Sequence, residues 1–148
     1  MNANTKAFLD VIATSEGTKG KGDDGYNVVV GGALFHPYDD HPRVSVALPN
    51  LGIHSTAAGR YQITAHNFDY YSDALDLPDF GHDSQDKIAL QLIKECNAQG
   101  DIDAGNFDTA AIKCNSRWAS FPGAGYGQHE NKMSALRDAF AEAGGVVA

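Results

Sequence analysis

Apolar residues recur along the chain with two different periods, and the change of period marks out its elements. Phe8, Leu9, Ile12 and Ala13 stand at helical spacing and predict an amphipathic helix that Gly17 stops. Tyr26 to Val30 reads as a strand, Gly31-Gly32 as a tight turn and Ala33 to Phe35 as the returning strand. Pro37, Pro42 and Pro49 punctuate a loop from His36 to Pro49, and Ile53 to Thr56 offers a third short strand. Helical spacing then returns. Phe68, Tyr71 and Leu75 form one stripe, and Ser84 is the N-cap of a helix whose stripe is Ile88, Ala89, Leu92, Ile93 and Cys96. Phe107, Ala111, Cys114 and Trp118 form another stripe. Met133, Leu136 and Phe140 form the last, closed by Gly144-Gly145. A helix, a small sheet and then several helices predict an α+β fold with a small β-hairpin lobe, a helical lobe and a cleft between them.

One polar residue breaks this pattern. Glu16 follows Ile12 by four positions and Leu9 by seven, so it falls on the apolar face of the first helix. Partial burial disfavours its charged form, and so does the negative end of the helix dipole. Both raise its pKa toward the range a general acid needs near neutral pH. The competing reading is an exposed glutamate in a last turn, and spacing alone leaves both open. The position, where the first helix hands over to the sheet lobe, puts Glu16 at the expected cleft.

Composition narrows the partners. The chain has 148 residues, enough for one domain with a core that needs no staples. Its net charge of -8 argues against nucleic acid as a main partner and against tight adsorption to an anionic surface. No apolar run approaches the length of a membrane span, so membrane insertion is not expected. The N-terminus lacks the basic segment and unbroken apolar stretch of a signal peptide, which predicts synthesis in the cytoplasm and release by another device. Cys96 and Cys114 lie on predicted helix stripes and are expected to be buried thiols. His36 and His41 flank Asp39 and Asp40, but the spacing matches no common zinc pattern. A rigid loop locked by His41 is expected there, and no metal or cofactor. His54, His66, His82 and His129 read as surface or capping residues.

Two segments carry unusual residues for their context. In Ser55-Thr56-Ala57-Ala58-Gly59-Arg60-Tyr61-Gln62, small residues beside polar arms suit a backbone that approaches a ligand closely. In Trp118 to Gln128, glycines alternate as in phosphate-binding loops, but no strand precedes them and no Lys-Ser/Thr follows. Aromatic and amide side chains on a glycine-rich loop suit a sugar polymer better, since rings cover apolar sugar faces and amides pair with hydroxyl and N-acetyl groups. Tyr61 and Trp118 each fit either a ligand contact or the core, and the helical spacing of Trp118 favours the core.

Taken together, Ser15-Glu16-Gly17-Thr18, Gly25-Tyr26, Val30-Gly31-Gly32 with Leu34-Phe35, Asp40-His41-Pro42-Arg43, Ser55 to Gln62, Gln85-Asp86 and Trp118 to Gln128 resemble the endolysins of bacteriophage lambda and its relatives. The blocks stand in that family's order over nearly the whole chain. The resemblance implies a lysozyme-like fold and one catalytic domain over residues 1–148. It implies a lytic transglycosylase that cuts between N-acetylmuramic acid and N-acetylglucosamine in peptidoglycan, with a 1,6-anhydro product. In that reading Glu16 is the catalytic acid/base, and Ser55, Tyr61, Gln62, Tyr126 and Gln128 bind the substrate. The partner is the glycan strand and the protein a monomer. It would be made in the host cytoplasm and reach the periplasmic wall after release, with the help of a holin.

Two alternatives stay open at this stage. A muramidase would need a second carboxylate, for which Asp23, Asp24, Asp39 and Asp40 are the candidates, all in polar loops; Asn27, nearest the strand start, is an amide and cannot act as a base. The other is a module that binds peptidoglycan without cutting it. The acidic balance, 19 acidic against 11 basic side chains, departs from the basic character such endolysins often have.

Overall fold

Asn2 opens the first helix, α1 (Ala3–Glu16), by accepting the Thr5 N–H on its side-chain oxygen at 2.8 Å in this computed structural model, which describes all 148 residues. Gly17 closes it. Its φ of 76° is left-handed, and its N–H turns back to the carbonyls of Ala13 and Thr14. Ala7, Phe8, Leu9, Val11, Ile12 and Ala13 are all buried, so α1 is apolar around more than one stripe, as a core helix must be.

The chain divides into two compact units, one of Met1–Gly17 with Leu90–Ala148 and one of Thr18–Ala89. In the first, α1 packs on α4 (Gln99–Ala104) and α6 (Met133–Glu142), α4 on α5 (Phe107–Cys114), and α5 on α6. Phe8 stands 5.8 Å from Phe107 and 6.1 Å from Phe121, Phe107 stands 4.9 Å from Phe140, and Trp118 stands 6.0 Å from Phe121, ring centre to ring centre. This aromatic chain is the core, and Trp118, buried within it, takes the core alternative. A Cβ on Gly145 would meet the Phe140 ring at 2.5 Å, so only glycine lets the chain fold back over α6. The short helix α4 lies in a segment without a readable period. Cys114 ends α5 buried, whereas Cys96 lies one residue beyond the end of α3 (His82–Glu95) and is half-buried, not on a helix stripe.

The second unit carries the sheet, and here the elements shift from their expected places. The regular hairpin pairs β1 (Val46–Leu48) with β2 (Ile53–Ser55), Val46 opposite Ser55 and Leu48 opposite Ile53, around a short 3-10 turn at Pro49–Leu51. β1 falls inside the segment expected to be loop. Pro42 and Pro49 lie outside the strand, where a missing N–H does not break the ladder. The expected Tyr26–Phe35 hairpin shrinks to a single antiparallel bridge, Val28 to Leu34. The Gly31-Gly32 turn forms, with Val29 N–H on the Ala33 carbonyl at 2.7 Å. Val28 to Val30 then spend their other backbone groups on Ala57 and Gly59, at 2.9 and 2.8 Å, instead of extending the hairpin. The helices of this unit are α2 (Ala65–Ala74), capped by Thr64, and the first half of α3. Ser84 is not the N-cap, because α3 starts at His82. The Ser84 hydroxyl donates instead to the Asp79 carboxylate at 2.8 Å, which also accepts the N–H of Gly81, the residue before the helix, at 2.9 Å.

A polar core holds this unit together. Gln85 has no exposed surface. Its Oε1 accepts the Arg60 N–H at 2.9 Å, and its Nε2 donates to the carbonyls of Phe80 and Tyr26 at 2.8 and 3.0 Å. Gly59 makes room for it: a Cβ there would stand 2.3 Å from Gln85 Oε1, on a backbone at φ +83°. His41, also buried, donates from Nε2 to the Ile63 carbonyl at 2.8 Å and accepts the Arg43 N–H on Nδ1 at 3.0 Å. These two bonds require the neutral ring with its proton on Nε2. Burial is the main cause that holds its pKa below the ordinary histidine value.

Two predictions follow from this core. Gln85→Met strands one buried N–H and two buried carbonyls. At about 1–3 kcal/mol for each orphaned group, unfolding in urea followed by circular dichroism should show a loss of at least about 3 kcal/mol. For His41 the unfolded chain takes up the proton first. The stability from its neutral ring is therefore whole above about pH 6.5 and is lost as the pH falls through the lower folded value. Stability should decline between pH 7 and 5, and His41→Gln, weaker at pH 7, should decline less over the same range.

Candidate active site

Glu16 is the last residue of α1, and the left-handed Gly17 that follows ends the helix directly behind it. Its carboxyl is half-buried. Removal from water is the dominant influence and raises its pKa from 4.5 to about 7, against a smaller downward pull from a hydrogen bond to the Ser120 side chain. At neutral pH this carboxyl is divided between its two forms, so it can give or take a proton there.

Around it, the chain beyond α5 is tied to the end of α1. Ser15 Oγ and Ser120 Oγ lie 2.7 Å apart. The Asn131 amide donates to Ser15 Oγ at 3.0 Å, to the Ser15 carbonyl at 3.1 Å and to the Ser120 carbonyl at 3.4 Å, while the Asn131 N–H donates to the Ser120 carbonyl at 2.8 Å. Ser120 and Asn131 are thereby the fixed base of a loop. Within it, the Glu130 carboxylate accepts the N–H groups of Gly123 and Gly125, each at 2.9 Å, which holds that carboxyl below its usual range. Gly123, Gly125 and Gly127 all have positive φ. Tyr126 and Gln128 are carried on this loop, exposed.

The other sequence-predicted site residues belong to the second unit. Ser55 ends β2, half-buried, and its Oγ accepts the Ala57 N–H at 3.1 Å. Gln62 is half-buried on a left-handed backbone at φ 54°. Its Nε2 donates to the carbonyls of Gly59 and Val28 at 2.9 and 3.2 Å, which leaves Oε1 as the atom it can offer a ligand. Tyr61 takes the core alternative and not the substrate-binding one. It is 1 % exposed, and its hydroxyl donates to Asp86 at 2.6 Å, so it is a core residue beyond a substrate's reach. Its neighbour Arg60 is equally buried, bonded to the Asp24 carbonyl at 3.0 Å and lying over the rings of Tyr26 and Tyr61. Arg60 braces the unit.

The candidate second carboxylates have structural work to do. Asp23 accepts the Tyr38 hydroxyl at 2.7 Å and bonds His82 Nε2 at 2.6 Å, and those bonds lower its pKa. Asp24 accepts the Gly20 N–H at 2.8 Å and reaches Arg60. Asp40 is paired with Arg43 at 3.0 Å and kept ionised by it. Asp39 is exposed. Asn27 accepts the Asp23 N–H at 2.8 Å. Sequence reasoning placed Ser120 in the glycine-rich segment without a role and missed Asn131 and Glu130. Their parts depend on contacts across more than a hundred positions or on loop geometry, and spacing carries neither.

The family model described as Endolysin matches residues 6–147. The endolysin of Escherichia phage lambda is 49% identical, over 99% of this chain and 95% of its own length. The endolysin of Escherichia phage P2 is 43% identical, over 98% and 95%. The solved structure of bacteriophage lambda lysozyme complexed with a chitohexasaccharide superposes with a TM-score of 0.97 at 49% identity, covering 100% of this chain and 98% of that one. A second structure of the lambda lysozyme gives 0.92 at 48% identity, with the same coverage.

The raised pKa of Glu16 carries a prediction about stability. Its folded value of about 7 lies above the ordinary 4.5, so its contribution is complete below about pH 4.5 and is lost as the pH rises through 7. Replacing it by the uncharged Gln should leave stability nearly unchanged at pH 4. At pH 8 the variant should be more stable than the parent by roughly 1–3 kcal/mol, measured by urea unfolding.

Proposed function

Because the chain belongs to the endolysin family, phage proteins that break down cell-wall peptidoglycan, we propose that it is a lytic transglycosylase in which Glu16 serves first as acid and then as base. The observation that carries this reading is one half-buried carboxyl with a pKa of about 7, whereas Asp23, Asp24 and Asp40 are each spent on structural bonds.

In the first step protonated Glu16 donates its proton to the glycosidic oxygen between N-acetylmuramic acid and N-acetylglucosamine. The C1–O bond breaks, and positive charge develops on C1 and the ring oxygen of the muramic sugar. In the second step the C6 hydroxyl of that sugar attacks C1 and gives its proton to the now ionised Glu16. A 1,6-anhydro ring closes, Glu16 is protonated again, and no water is consumed. A hydrolase would need a carboxylate free to activate water or to attack C1. Asp23 and Asp40, ionised and bonded to donors, are poorly suited to either task.

Gln62, through its free Oε1, and Ser55, through its hydroxyl proton, are the glycan contacts of the second unit in this reading, and Tyr126 and Gln128 those of the glycine-rich loop. Residues 1–148 act as one catalytic domain and as a monomer, on periplasmic peptidoglycan after release from the host cytoplasm.

The test is chemical. Mass analysis of digested peptidoglycan should find 1,6-anhydromuramic ends, and walls acetylated on the muramic C6 hydroxyl should resist cleavage. Glu16→Gln should lower activity at least about a hundredfold to ten-thousandfold with an unchanged circular dichroism spectrum. Chiefly reducing ends would make the protein a muramidase, and a fully active Glu16→Gln variant would remove Glu16 from the mechanism.

A further inference from the structure

Gly59 to Gln62 form a four-residue turn that is gripped from several sides. Ala58 and Ile63 close it with a reciprocal pair of backbone bonds, at 3.0 and 2.8 Å. Gln85 Oε1 accepts the Arg60 N–H at 2.9 Å, and the Thr18 hydroxyl donates to the Arg60 carbonyl at 2.6 Å. Asp86, next to Gln85 on α3, accepts the Tyr61 hydroxyl at 2.6 Å. Gln62 itself stands on a left-handed backbone, φ 54°, which a residue with a side chain keeps only when its surroundings impose it.

The Gly59 carbonyl and the Arg60 N–H belong to one trans peptide plane and point in opposite directions across it. By taking the N–H, Gln85 therefore sets the direction of the carbonyl. That carbonyl accepts the Gln62 N–H at 3.2 Å and the Gln62 Nε2 at 2.9 Å, and the Val28 carbonyl takes Nε2 as well, at 3.2 Å. Thr18 fixes the next plane, so both peptides that meet at the Arg60 Cα are clamped. The Gln85 amide is itself oriented, because its Nε2 faces the carbonyls of Phe80 and Tyr26.

We propose that Gln85 and Thr18 are positioning residues for glycan binding, which clamp the Gly59–Gln62 turn so that Gln62 is held as a fixed acceptor for a sugar hydroxyl or an acetamido N–H. The inference rests on the reading of Gln62 as a glycan contact and deepens it. A loose glutamine amide can turn over and offer its NH2 in place of its oxygen. With Nε2 held by two carbonyls, Gln62 offers Oε1 alone, and the ordering is done before the sugar arrives. Immobilising a free side chain on binding costs about twofold to tenfold in affinity. Gln85 has no exposed surface and Thr18 is buried, so neither meets the ligand and both act through Gln62.

The experiment is a double-mutant cycle on soluble peptidoglycan fragments, with kcat and KM measured separately. Gln62→Ala should raise KM about fivefold to tenfold, the loss of one hydrogen bond to the ligand. Gln85→Met should raise KM about threefold to fivefold with kcat little changed, and should add nothing further in the Gln62→Ala background. Gln85→Glu, which keeps an acceptor for the Arg60 N–H, should bring KM back toward the parent. By NMR, the Nε2 hydrogens of Gln62 should exchange with water about tenfold faster in Gln85→Met. A merely structural Gln85 would reduce the folded, active fraction at unchanged KM. That result, or an equal rise of KM in both backgrounds, or unchanged exchange at Gln62, overturns the proposal. Should Gln85→Met fail to fold, Thr18→Val decides: it frees the second plane and must raise KM in the parent but not in Gln62→Ala, and an unchanged KM overturns the clamp. Failure of the underlying reading looks different, since there Gln62→Ala itself keeps the parent's KM.

Discussion

Asn131 sews the end of α1 to the base of the glycine-rich loop, and the environment of Glu16 depends on that closure. A helix C-terminus ordinarily leaves its last carbonyls to water. Here Gly17 folds back on Ala13 and Thr14, and the Ser15 carbonyl is taken by the Asn131 amide at 3.1 Å. With those backbone groups satisfied by protein, the last turn can be partly buried without orphaned polar atoms, and no buried side-chain N or O is left without a partner. Burial then acts on the carboxylate alone. The desolvation that raises the Glu16 pKa to about 7 is thus a consequence of how the helix end was satisfied.

The second unit solves a different problem with similar means. It has little regular structure, one three-residue hairpin and a few isolated bridges, so it cannot rely on a sheet ladder. Buried side chains supply the missing bonds. Gln85 replaces a strand partner for Arg60, Tyr26 and Phe80, His41 does the same for Ile63 and Arg43, and Thr18 donates to the Arg60 carbonyl at 2.6 Å. The acidic residues of this unit are drawn into the scheme. Asp86 accepts from Tyr26 and Tyr61, and Asp40 and Asp69 hold the two edges of the Arg43 guanidinium. Much of what looks in the sequence like a surplus of negative charge is internal wiring, which also removes these carboxylates from the pool of free bases.

This division explains what could be read in advance. Glu16, Gly17 and the stripes of α1, α5 and α6 were legible because helix periodicity and a glycine stop are local signals. The α+β class followed from their order, and His41 as a loop lock from the prolines around it. The second unit was harder. Val46, Ala47 and Leu48 are all apolar and alternate only in exposure, and Pro49 beside them hid a strand three residues long. Tyr26 to Phe35 has a good hairpin signature, yet Val28 to Val30 pair more with residues near 58, a choice made between distant segments. Tyr61 looked like a polar arm because its partner, Asp86, lies 25 positions on. Ser120 was invisible for the same reason: one hydroxyl gains a meaning only when residue 15 is beside it.

The balance at Glu16 then has a physical rationale. A carboxyl that must give a proton and take another within one turnover works against itself if its pKa is pushed far in either direction. Burial alone would keep it protonated, making a reluctant acid whose ionised form is costly to reach. A strong cation beside it would hold it ionised, leaving no proton to give and a weak base afterwards. Neutral hydroxyl donors avoid both extremes. They lower the cost of the ionised form by the strength of one hydrogen bond and add no charge of their own. Among the neighbours that could tune a lone acid/base near neutral pH, a hydroxyl that can donate to one form and accept from the other fits both halves of the reaction. At Glu16 the Ser120 side chain is the neighbour whose pull opposes that of burial, and Ser15 Oγ, 2.7 Å from Ser120 Oγ, holds it in place.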